Sequence, residues 1–109
     1  MEYRSFINGL YENLEFKKAN VSSKILKIES DSIYYSIGKR GNSKKVTFEE
    51  FRTAFTELDR KNQITRNWFN EAFPKKAKSA PCSFTTIGGL MQHFGLVSYN
   101  RGTYTKLDM

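Results

Sequence analysis

This chain has few groups for covalent chemistry. It contains one histidine, His93, and one cysteine, Cys82. That excludes a two-histidine metal site, an internal disulfide and a cysteine-based zinc site. A Cys–His nucleophile pair needs both side chains within hydrogen-bond reach. On a helix starting at Ser83, the two would stand about 15 Å apart at about 1.5 Å of rise per residue. Cys82 fits better as a small apolar residue. The carboxylates Glu29, Asp31, Glu49 and Glu50 show no nuclease-like PD…ExK spacing, and neither GxxxxGK[ST] nor GxGxxG occurs. The chain therefore reads as a binding protein rather than an enzyme, with no cofactor expected.

The stronger signal is charge. The net charge is +7, from eighteen Lys and Arg against eleven Asp and Glu. From Arg60 onward there are eight basic and two acidic residues, so this stretch holds six of the seven net positive charges. Lys75, Lys76 and Lys78 sit in the segment KKAKSAP, and Arg101 sits in the turn-forming Asn100-Arg101-Gly102. A second cluster, GKRGNSKK over residues 38–45, adds Lys39, Arg40, Lys44 and Lys45 with no apolar residue. It reads as a loop, either a solvated tip or a flexible arm for phosphates. A basic half of this kind suits a polyanion such as duplex DNA. It equally suits a protein kept soluble by net charge.

The elements that must position these residues follow from hydrophobic spacing. Phe84, Ile87, Leu90, Met91 and Phe94 make one helical stripe, with Ser83 placed to cap its start and Gly95 to close its end. On such a helix Thr85, Thr86, Gly89, Gln92 and His93 face outward. Thr and Gln can hydrogen-bond base edges, so Thr85, Thr86 and Gln92 become candidate contacts. Gly88 and Gly89 allow close approach, either to a DNA backbone or to a neighbouring element. Val97, Tyr99, Tyr104 and Leu107 then alternate in a hairpin around residues 100–102.

Upstream, Thr47 and Glu50 form a capping box ahead of the stripe Phe48, Phe51, Phe55 and Leu58. An extended Gln63-Ile64-Thr65 follows, then a helix over 66–73 capped by Thr65 and stopped by Pro74. Helix, short strand, helix, turn, helix and hairpin is an order that resembles the winged-helix DNA-binding domains over residues 47–107. The resemblance implies that 84–94 is the recognition helix and that Arg101 tips a wing able to reach phosphate or the minor groove. The 75–81 connector is longer than the usual turn of such a motif.

Residues 2–16 carry a further helical stripe, Tyr3, Phe6, Ile7, Leu10, Tyr11 and Leu14, expected to pack on its own domain or else to dimerise. Residues 17–23 read as a polar connector and 25–37 as a hairpin turning at Ser30-Asp31-Ser32. Tyr34 and Tyr35 fall on opposite faces of its second strand, and such a tyrosine serves either the core or base stacking.

The expected fold is α+β: one domain over 1–109, with an N-terminal helix and hairpin at 1–46 ahead of the winged-helix-like core. No run of about eighteen apolar residues and no secretory leader is present, and the lone cysteine fits a reducing, cytoplasmic setting. The resemblance implies a small DNA-binding regulator or accessory module. The alternative is a protein–protein module, including an inhibitor docking on a nucleic-acid enzyme.

Overall fold

A computed structural model describes residues 1–38 and 41–107. The first helix, α1 (Tyr3–Asn8), is much shorter than its apolar stripe. Gly9 caps it, and Asn13 turns the chain at φ 73°. Leu10 and Leu14 are still buried, so they report core contact without helical geometry. The expected helix over 2–16 is therefore corrected. Its last residues open a strand, β1 (Glu15–Lys18), with Phe16 facing inward.

An antiparallel meander follows: β2 (Val21–Ile28), β3 (Ser32–Ile37) and β4 (Asn42–Thr47), in the order β1-β2-β3-β4. Neither the polar connector nor the basic loop is loop throughout. Lys17 and Lys18 pair with Ser22 and Val21, and Asn42 to Thr47 pair along the whole of β3. Ile33 and Tyr35 point inward from β3, and Val46 does so from β4.

The capping box closes as expected. Thr47 Oγ1 accepts from Glu50 N at 3.1 Å, and Glu50 Oε1 accepts from Thr47 N at 2.8 Å. It starts α2 (Phe48–Lys61), which ends at left-handed Asn62. Next come β5 (Gln63–Thr65) and α3 (Arg66–Ala72), the latter capped by Thr65. Pro74 stops α3 but also opens another helix, α4 (Pro74–Ser79), because proline is tolerated at a first helical position. The expected long turn is thus mostly helical.

The next helix, α5 (Ser83–His93), precedes β6 (Val97–Asn100) and β7 (Thr103–Lys106). The three strands pair as β5-β7-β6, so the first strand lies against the last. Arg101 and Gly102, both at positive φ, make the two-residue turn between β6 and β7. The fold is α+β, with a four-stranded sheet where a hairpin was expected.

One core joins both parts. The Phe6 ring lies 5.2 Å from Phe51, 5.1 Å from Phe55 and 5.4 Å from Phe94. That settles α1 as a packing element of its own fold. Among the residues expected in the core, Phe51, Phe55, Leu58, Phe69, Ile87 and Leu90 are buried, while Trp68 and Phe94 are half-buried at its margin.

Candidate nucleic-acid interface

The proposed recognition helix is internal. Residues 86–91 of α5 are all buried, because the four-stranded sheet covers the side opposite the three-stranded sheet. Thr86 is completely buried, and its hydroxyl donates to the Cys82 carbonyl at 3.1 Å, four residues back. Thr86 is corrected from candidate base contact to core residue. Thr85 is half-exposed and donates to the same carbonyl at 2.9 Å. Gly89 faces β1 so closely that a Cβ there would overlap the Lys17 carbonyl oxygen, and at Gly88 one would overlap the Tyr104 ring. Both glycines serve packing. Gln92 and His93 remain exposed, beside Glu15, Lys17 and Ser22 in a shallow cleft of about 380 Å³.

Ser83 is the first residue of α5 rather than its cap. Its Oγ lies 2.8 Å from the Tyr35 hydroxyl, which also stands 3.2 Å from Cys82 Sγ. Burial, reinforced by Cys82, pushes the Tyr35 hydroxyl above its ordinary pKa. Tyr104 is shifted upward in the same direction, mainly by burial. Its hydroxyl is the one buried side-chain polar atom without a partner among the described residues. Tyr35, Cys82 and Ser83 form a polar seam between the four-stranded sheet and the start of α5.

The basic side chains are positioned by several elements. In the meander, the turns after β1 and after β3 lie at one end of the sheet, and the turn after β2 lies at the other. Lys18 sits at the first turn, 5.2 Å from the centre of the Tyr35 ring. Lys44, near the second, donates to the Ser79 carbonyl at the end of α4. The chain then passes to Pro81, whose carbonyl accepts from Arg66 Nη1 at 2.6 Å. Thr65, beside Arg66, pairs with Thr103, which places the Arg101 turn at the Arg66 end of the three-stranded sheet. Contacts across long sequence separations thus tie Lys44 to the end of α4 and Arg66 to the segment that follows it.

Carboxylates gather at the opposite end. Glu29 and Asp31 flank the β2–β3 turn, and the Asp31 carbonyl accepts from Phe48 N, which brings Glu49 there. Glu12 also joins this end, accepting from Ile28 N at 3.4 Å.

The remaining candidates divide. Lys75, Lys78, Lys45 and Arg101 are exposed. Lys76 is spent internally: it donates to the Lys45 carbonyl and pairs with Glu50 at 3.2 Å, leaving its side chain 19% exposed. Lys39 and Arg40 lie outside the described residues. Sequence reasoning missed Lys18 and Arg66, whose roles arise from sheet register and from the α4–α5 junction.

No protein-family model, curated protein or solved structure matches this chain. Among the described residues, no helix is long and apolar enough to cross a membrane.

Proposed function

We propose that this chain binds nucleic acid, duplex DNA in the first instance, by gripping the phosphate backbone with its basic turn end. On this reading α5 is an internal scaffold and reads no groove. The protein acts as a small regulator or accessory module whose affinity is mainly electrostatic. One observation carries the proposal: Lys18 and Lys44 lie toward one end of the four-stranded sheet, where α4 with exposed Lys78 adjoins Lys44, while Glu29, Asp31 and Glu49 are held at the other end. Such a charge dipole orients the molecule toward a polyanion during approach. Exposed Lys and Arg side chains with no carboxylate partner can exchange water for phosphate oxygens.

The test is binding of random duplex DNA across a salt series. Each phosphate contact contributes about −0.9 to the slope of log affinity against log salt. A Lys75/Lys78/Arg101→Ala triple variant should weaken binding to all sequences alike and flatten that slope by about 2 to 3. Gln92→Ala should bind as wild type does. Absence of duplex binding near 50 mM salt, roughly the low end of ordinary assays, would overturn the reading and leave a protein partner in its place.

A further inference from the structure

We infer that the outer face of the four-stranded sheet is a stacking site for an unpaired base of single-stranded nucleic acid, centred on Tyr34. The inference rests on the nucleic-acid reading above and names a ligand class it leaves open. Ile33 and Tyr35 on β3 are buried, Tyr35 against the start of α5, so strand alternation turns Tyr34 to the opposite face. In register, Tyr34 lies between Lys27 on β2 and Lys45 on β4. Both lysines are exposed, and the Lys27 side chain is 63% exposed. One cross-strand row therefore places a half-exposed aromatic ring between two exposed cations.

Charge complementarity and the ring select the occupant. A base offers a π-face to tyrosine while its flanking phosphates meet the two lysines, whereas a duplex keeps its bases stacked on each other. Lys27 is paired with Glu29 at 3.3 Å, but an exposed pair of this kind is weak and readily exchanged for phosphate. The row lies between the two ends of the sheet. Tyr34 stands four residues before Gly38, about 13 Å along an extended strand. A backbone held at the turns reaches the ring by following β3 and β4.

The experiment compares a fluorescent oligothymidylate with random duplex DNA, using wild type, Tyr34→Ala, Tyr34→Phe and Lys27/Lys45→Ala. Removing the ring should weaken oligothymidylate binding about 5- to 100-fold, the range seen for one stacked base, and leave duplex affinity within about twofold. Phenylalanine should restore single-strand binding. The double lysine variant, which leaves the ring in place, should flatten the single-strand salt slope by about 1.4. Should Tyr34→Ala not fold, the phenylalanine and lysine variants still decide the matter. Duplex binding without oligothymidylate binding overturns the stacking site and leaves the preceding reading standing; binding to neither overturns both. Equal losses on both ligands, or a Tyr34→Ala protein that binds oligothymidylate as wild type does, also overturn the site.

Discussion

Gly89→Ala tests the packing that closes α5. In an open helix this substitution stabilises, since alanine exceeds glycine in helix propensity by about 1 kcal/mol. Here the new methyl would overlap the Lys17 carbonyl oxygen and lie 3.1 Å from its carbon. That carbonyl belongs to β1, which is tied to β2 through four register pairs, so relief requires moving a strand rather than rotating a side chain. Overpacking a well-filled site costs roughly 1–3 kcal/mol, and backbone contact puts this position at the upper end. After the propensity gain, the net loss is about 2 kcal/mol. For a chain of this length that lowers Tm by roughly 8 °C, since each kcal/mol shifts it by about 4 °C. Thermal melting followed by circular dichroism gives the number, and hydrogen exchange should show the amides of residues 15–18 losing protection. A Tm equal to or above wild type would refute the close docking of β1 on α5, and with it the internal position of that helix.

Thr47→Ala removes one half of the capping box and should cost about 1 kcal/mol in urea denaturation, with an unchanged m-value. Phe6→Ala empties a ring site between Phe51, Phe55 and Phe94 and should cost roughly 3–5 kcal/mol, whereas an α1 peripheral to the core would give less than about 1. Tyr35 and Tyr104 are held neutral by burial, so their folded pKa values exceed the unfolded value of about 10. Their contribution is complete below that pH and is lost as pH rises above it. Denaturation between neutral pH and pH values above about 10 should show stability level and then falling, with a shallower fall in Tyr35→Phe. The same variant should cost about 1–3 kcal/mol at neutral pH, because Ser83 Oγ loses its partner.

The half of the chain after residue 46 was legible because its signals are local. Thr47 and Glu50 cap α2 within one turn, Thr65 caps α3, and Gly95 and Gly102 take the positive φ angles their positions require. The N-terminal half was not, because its signals are ambiguous over short range. Leu10 and Leu14 repeat at helical spacing yet are buried from a wound turn, and the pairing of 42–45 as β4 depends on a partner strand rather than on apolar residues. Lys44 illustrates the point: its place follows from the carbonyl of Ser79, thirty-five residues away. For the site, the basic character was readable from composition, but Thr86 was not. A threonine opposite an apolar stripe faces solvent only if nothing covers that side of the helix, and coverage is a tertiary fact.

That coverage shapes how the protein would recognise a polyanion. A helix that inserts into a groove needs its polar side free; on α5 that side carries Gly89 packed on β1 and a buried Thr86, which leaves little of it for base contact. The basic groups of the proposed interface lie outside α5, on α4, strand ends and the Arg101 turn, where side chains reach phosphates but few base edges. Recognition on this plan is set by charge and by backbone shape, so affinity should fall steeply with salt and vary little among duplex sequences. A measured preference among duplexes exceeding the cost of one mismatched base pair, about 1–3 kcal/mol, would require base contacts that the exposed surface of α5, confined to Thr85, Gln92, His93 and their neighbours at its ends, is poorly placed to make.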